Sequence, residues 1–398
     1  MKRTQWLLLG GMGAVSLNLR PAVASVAPVL ETIHTELAIS NAVASLLTTI
    51  PVVCMGLFAL LVPAITKRSG RIMTILWGTV LIAITTAARV GGRSVIILFG
   101  STVLVSVGIG VTQAVLPALV TEYFPNRTAF ATGVYTSSMT GGAILATLLT
   151  APIAGLLSWP VALAFWMIPA VIAIPVWLIA TRTKQRTATG AEETATETYR
   201  VGLPWRQHSA WILVAVFGGA TTTFFFVLTW LAPRYVALGW STNSAGVLLT
   251  ISLAVSAVSN LFISAVGDQW HDKRPLFLVV ILCLVAGGFG VALVPLYAPF
   301  LWAIMLGMGS GGLFTLCMTL PISHAGTHAE IDRLTAMMLG VGYSVGAFGP
   351  VAGGILRDLT GSDTAMFSTF AVFAFCLLAP VAAIKTTETA GKSASGFH

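Results

Sequence analysis

The chain has 398 residues, of which 56% are hydrophobic and only 9% charged. A soluble domain carries about 25% charged residues, so this composition excludes one and describes a protein that crosses a membrane many times. The net charge of +8 would suit an anionic partner such as nucleic acid, but its distribution along the chain supplies another reason for it.

A helix needs about 20 apolar residues to cross a bilayer. In chain order the apolar runs fall near 5–30, 40–65, 72–89, 94–121, 128–150, 160–181, 209–233, 243–267, 275–296, 299–322, 333–356 and 364–384. The runs are continuous rather than alternating, which excludes a membrane β-barrel. The expected class is an all-α membrane protein of twelve transmembrane helices.

The first run opens on Lys2 and Arg3, turns apolar at Trp6 and contains Ala22-Val23-Ala24. That pattern imitates a secretory leader with its cleavage site. Arg20 and Pro21 interrupt it, however, and the apolar character continues to Leu30, so a retained first span is expected. Arg20 stands out within it. A guanidinium at that depth costs about 2.5–3.5 kcal/mol on insertion scales and persists where it faces a watery cavity or an opposite charge. Every other charge is expected at a membrane surface, and no Asp or Glu lies as deep as Arg20. The missing counter-charge is then expected to be the ligand.

The loops set the orientation. Excess Lys and Arg mark cytoplasmic loops. With the N-terminus inside, sixteen of the 21 basic residues fall inside, Lys67, Arg68 and Arg71 among them. Four fall outside (Arg89, Arg93, Arg234 and Arg357), and Arg20 lies in the membrane. Topology therefore explains the basic balance, and both termini are expected in the cytoplasm, with the chain in the inner membrane. No nucleic-acid partner is required.

The longest polar stretch separates six spans from six. Residues 182–208, with Thr187-Ala188-Thr189-Gly190-Ala191-Glu192-Glu193, read as a cytoplasmic linker. The expected organisation is an N-terminal six-helix bundle (1–181), a C-terminal six-helix bundle (209–385) and a cytoplasmic tail (386–398). The halves echo each other. Lys67 to Arg71 follows the second span as Asp268 to Arg274 follows the eighth, and Gly108-Ile109-Gly110 matches Gly307-Met308-Gly309. Duplicated halves with short basic loops and Gly/Pro interruptions suit a transporter that rocks about a central site.

Titratable groups are scarce at depth. Glu31, Glu36, Glu122, Asp268, Asp358 and Asp363 fall near span ends, and the histidines fall in loops or the tail. An intramembrane enzyme needs a nucleophile–base pair or metal ligands at depth, and neither is seen. The four cysteines (Cys54, Cys283, Cys317 and Cys376) show no paired spacing, so neither a disulfide, a metal site nor a cofactor is expected. The same scarcity favours uniport or anion exchange over proton coupling.

The chain resembles the major facilitator superfamily over nearly its whole length. Gly70-Arg71 and the run from Asp268 to Arg274 are similar to its two copies of a loop signature, with Lys67 where the first copy usually carries an acid. That departure makes Asp268 the better gating acid, with Arg71 and Arg274 as the gating bases. A closer resemblance is to the branch of cyanate transporters and nitroimidazole exporters. Asn18-Leu19-Arg20-Pro21, Ala27-Pro28-Val29-Leu30, Leu46 to Val52, Gln113 to Pro117 and Thr229-Trp230-Leu231-Ala232-Pro233 carry it.

The resemblance implies a cavity lined by spans one, four, seven and ten. That implies substrate contacts from Asn18, Arg20, Gln113, Thr223, Trp230 and Thr319, with Tyr135 and Tyr343 reaching in from spans five and eleven. The expected function is alternating-access transport of a small anion, cyanate-like or a small carboxylate, by a monomer in the lipid bilayer. The alternative is export of neutral aromatic drugs such as nitroimidazoles.

Overall fold

A computed structural model of the chain describes residues 3–124, 128–182, 204–267, 272–324 and 328–384. Among these, twelve helical segments are long and apolar enough to cross a membrane. Spans 1 to 6 run Gln5–Leu37, Asn41–Phe58, Arg71–Gly91, Val95–Val120, Val134–Leu156 and Trp159–Thr181. Spans 7 to 12 run His208–Ala237, Thr242–Ile263, Arg274–Leu293, Pro299–Met318, Arg333–Thr360 and Asp363–Ala382. No strand occurs among the described residues. Most of the expected linker and all of the expected tail lie outside them.

Local chemistry sets several of the ends. Ser40 and Ser362 cap spans 2 and 12 by accepting the Val43 and Ala365 N–H groups, each at 3.2 Å, as N-cap serines do. Gly70 turns the chain between spans 2 and 3 at a φ of 72°, a left-handed conformation that glycine adopts without steric cost. Span 1 runs past its expected end at Leu30, because Leu30 and Ile33 keep a buried face through its polar last turns.

Two spans are interrupted. Span 1 is helical over Arg3–Leu17, then a four-residue helix Pro21–Ala24, a 3-10 turn Ala27–Val29 and a final helix Leu30–Leu37. Pro21 and Pro28 have no N–H to donate, so the regular ladder cannot pass through them. Span 11 is interrupted at Ala347, between helices His328–Gly346 and Phe348–Thr360, one turn before Pro350.

Glycines set the packing inside each half. In the second half, Gly307 and Gly311 of span 10 press against the backbone at Ser252 and Ser256 of span 8. In the first half, Gly110 of span 4 presses against Cys54 of span 2. Small residues allow this approach within a membrane, where dispersion and polar contacts hold helices together.

The halves meet through spans 2 with 11, 5 with 8 and 7 with 2. A side chain at Gly56 would run into the Gly340 carbonyl and Ser344. Thr147 and Thr250 share a hydrogen bond at 2.9 Å, and the Thr229 hydroxyl donates to Thr48 at 2.9 Å. The outer surface carries Trp77, Ile84, Val258, Leu261 and Phe262 exposed, as a lipid-facing belt requires.

Candidate functional site

The interruption of span 1 exposes backbone and places Arg20. Arg20 precedes the helix Pro21–Ala24, and its carbonyl accepts the Val23 and Ala24 N–H groups at 3.1 and 2.9 Å. The Leu17 carbonyl, which Pro21 cannot bond, lies against Gly142 of span 5, where no Cβ would fit. Span 1 therefore packs its broken stretch directly against the backbone of span 5.

The Arg20 guanidinium lies over the Phe225 ring of span 7, 5.7 Å from its centroid. That is cation–π range, worth about 0.5–2 kcal/mol depending on desolvation. Its Nη1 is buried with no hydrogen-bond partner, and among the described residues no carboxylate pairs with it. Two other positions of the expected constellation share this property: Asn18 Oδ1 and Gln113 Oε1 are also buried without partners among the described residues. Buried polar atoms are nearly always bonded. One cationic donor and two amide acceptors are thus left open on spans 1 and 4.

The other expected contacts divide. The Asn18 amide nitrogen donates to the carbonyls of Ala14 at 2.7 Å and Pro169 at 3.3 Å, so Asn18 also ties span 1 to span 6. Tyr135 is partly buried against the hydrophobic core, and the Tyr343 ring stands edge-on to Phe217 with centroids 5.1 Å apart. Thr223 is fully buried and its hydroxyl donates to Ala220 within its own helix at 2.9 Å, a packing arrangement. Trp230 donates to the Pro350 carbonyl at 2.9 Å and lies 5.7 Å under Arg357, joining span 7 to span 11. The side chain of Thr319 lies outside the described residues.

The expected gating set also divides. Asp268 lies outside the described residues. Arg71 pairs with Glu122 at the end of span 4, Nη1 to Oε2, at 2.6 Å. The acid that the first loop lacks at Lys67 is therefore supplied from another span. Arg274 donates to the Ile384 carbonyl, and its backbone N–H to Asp272 at 3.0 Å, fastening span 9 to the end of span 12.

Two features escaped the sequence reading. Arg89, expected at the outer surface, is fully buried; its Nη1 donates to the Ala22 carbonyl at 2.8 Å and its Nη2 to Thr102 at 3.3 Å. Arg20 is thus not the only charge removed from the surface. The second is an ion cluster on the face away from the chain termini. There Arg357 meets Glu31 at 3.1 Å, Asn41 at 2.9 Å and Asp363 at 2.8 Å, and Arg234 approaches Asp363 at 3.5 Å. The acids were visible as span-end residues, but Glu31 finds its partner in the opposite half and Asp363 finds its partners on spans 7 and 11, so neither left a local pattern.

Residues 16–350 match the Major Facilitator Superfamily. The chain is 30% identical over 349 residues to the cyanate transport protein CynX of Escherichia coli (strain K12), covering 87% of this chain and 89% of that one. It is 28% identical over 357 residues to a 2-nitroimidazole transporter of the same organism, covering 89% of each. A bacterial homologue of the human lysosomal transporter Spinster, solved in an inward-facing and occupied conformation, superposes with a TM-score of 0.79 at 16% identity, over 96% of this chain and 97% of that one. The nucleoside transporter NupG superposes with a TM-score of 0.76 at 12% identity, over 95% and 99%.

Proposed function

This chain belongs to the major facilitator superfamily and is a membrane transporter, and we propose that its cargo is a small anion, cyanate-like or a small carboxylate, bound by Arg20. The observation that carries the reading is the buried Nη1 of Arg20, without a hydrogen-bond partner and without a paired carboxylate among the described residues. A guanidinium binds a carboxylate-like anion through charge-assisted, fork-like bonds. Anion entry satisfies the open donor and offsets the cost of the buried charge. The Asn18 and Gln113 carbonyl oxygens accept hydrogen bonds only, so they face a protonated or N–H-bearing part of the cargo, or a water bound with it. The cyanate transport protein among the relatives supports the same class.

The transporter works by alternating access in the inner membrane, with both termini cytoplasmic and the two six-helix halves rocking about the site. The cycle of binding and release carries the anion across, and Arg20 is left without a counter-charge whenever the site is empty.

A second reading, transport of a neutral aromatic such as a nitroimidazole, has its own support. Phe224 and Phe225 stand edge to face with centroids 5.2 Å apart, and Phe225 lies beneath Arg20. Uptake into proteoliposomes separates the two. A panel of cyanate, nitrite, small carboxylates and a nitroimidazole is offered to wild type, Arg20→Ala and Arg20→Lys. Loss of anion uptake in Arg20→Ala, with poor recovery in Arg20→Lys, supports the anion reading; unchanged anion uptake in both variants rejects it.

A further inference from the structure

The geometry points to Arg89 as a positioning residue that sets the direction of Arg20 by holding the stranded Ala22 carbonyl. The inference rests on the reading of Arg20 as the anion-binding charge, but its geometry is independent of which anion is carried.

The broken stretch of span 1 leaves a specific backbone debt. The Val26 N–H turns back to Val23 and the Ser25 N–H to Pro21 and Val23, so among the described residues no backbone donor reaches the Ala22 carbonyl. Ala22 is 2% exposed, and water cannot serve that oxygen freely. Arg89 Nη1 does so at 2.8 Å, from the 3-10 turn that ends span 3. Its Nη2 is anchored in turn to Thr102 of span 4 at 3.3 Å, and the Thr102 hydroxyl is itself fixed to the Leu98 carbonyl at 2.8 Å.

Arg89 is an expensive way to fill one carbonyl. Its guanidinium is fully buried, Nε has no partner, and among the described residues no carboxylate pairs with it. A buried charge without a counter-ion is poor evidence for stability, since apolar side chains commonly do as well or better. What the charge supplies here is direction. Arg20 caps the start of the four-residue helix Pro21–Ala24 and Ala22 is its second residue, so a rotation of that helix turns the Arg20 side chain with it. Span 5 blocks one side of the segment at Gly142, and Arg89 holds it from spans 3 and 4. With both in place, Arg20 is held over Phe225 before any ligand arrives.

The test uses the full-length transporter with Arg89→Met and Arg89→Lys. One readout needs no substrate: the rate at which a small maleimide labels Ser25→Cys, a position fully buried in the native protein. The other is the split between KM and Vmax for cyanate uptake. Arg89→Met is expected to speed labelling and to raise KM about tenfold while Vmax stays within about twofold, the pattern of lost binding geometry. Arg89→Lys, which can still donate to Ala22, is expected to bring both values back to within about threefold of wild type, as a retained charged donor implies. Should Arg89→Met not purify as a single species, Arg89→Leu, which likewise cannot donate to Ala22, carries the same expectation. Wild-type labelling together with wild-type KM in whichever neutral variant is purified overturns the inference. If Arg20→Ala leaves anion uptake unchanged, the anion reading fails instead, and the labelling rate alone decides the role of Arg89.

Discussion

Arg357 of the second half reaches across to Glu31 of the first, Nη1 to Oε2, at 3.1 Å. The same guanidinium donates to Asn41 at 2.9 Å, and the neighbouring Asp358 carboxylate accepts the backbone N–H groups of Asn41 and Ala42 at 3.1 and 2.9 Å. Gly354 makes room for this, because any side chain there would meet Asn41 and Ala42. The two halves are thus joined at the face away from the termini, and any opening at that face must break these bonds. Asp363 stays with Arg357 when they break, since both belong to the second half.

The lock should therefore be measurable as a coupling energy. Arg357 is 13% exposed at its side chain and Glu31 27%, so the pair is shielded and worth more than a surface bridge of about 0–1 kcal/mol. Glu31→Gln and Arg357→Gln are each expected to favour opening at this face, and the double variant to be less than additive, as for residues in direct contact. Spin-label distances between the ends of spans 1 and 11 read the opening. Unchanged distances in all three variants would dismiss the lock.

Much of this architecture was legible beforehand, and the parts that were not share a cause. Span number and the isolation of Arg20 follow from hydropathy and from the placement of charges, which are read within a few residues. Arg89 was hidden because Thr86-Ala87-Ala88-Arg89-Val90-Gly91-Gly92 has the look of a span ending in a surface charge. Its burial depends on a carbonyl 67 residues away. A partial signal did exist: Pro21 and Pro28 break the regular ladder of one span, and buried carbonyls around such a break call for donors from elsewhere. Glu122 was likewise passed over as the partner of Arg71, because the pair is set by how span 3 packs on span 4.

Gly142 and Gly141 offer a paired test of the span 1–span 5 contact. A methyl group at Gly142 would collide with the Leu17 carbonyl and come within 3.3 Å of the Pro21 ring, whereas one at Gly141 meets nothing within 4 Å. Gly142→Ala should displace the broken stretch and reduce uptake at least about tenfold, in keeping with the effect of small misplacements on a bound geometry. Gly141→Ala should retain near wild-type uptake. Equal behaviour of the two variants in proteoliposomes would remove the contact from the argument.

The Phe225 ring should matter through its face rather than its bulk. Phe225→Leu keeps an apolar side chain but removes the quadrupole beneath Arg20, a loss of about 0.5–2 kcal/mol. Anion KM is expected to rise between about twofold and about thirtyfold on that basis, and Phe225→Tyr to stay near wild type. A Leu variant indistinguishable from wild type in KM would mean that the ring only fills space.

The Arg71–Glu122 pair gives a prediction of the opposite kind. Although only 2.6 Å separates the charged atoms, the side chains are 30% and 31% exposed, so solvent screens much of their attraction. Such pairs usually contribute about 0–1 kcal/mol, and less as salt shortens the screening length. Glu122→Gln should lower the thermal midpoint slightly in low salt and hardly at all in about 1 M salt, where the Debye length is near 3 Å. A large, salt-independent loss would instead mean that Glu122 supports the fold through a contact other than this pair, because an unscreened effect of that size cannot come from an ion pair this accessible to water.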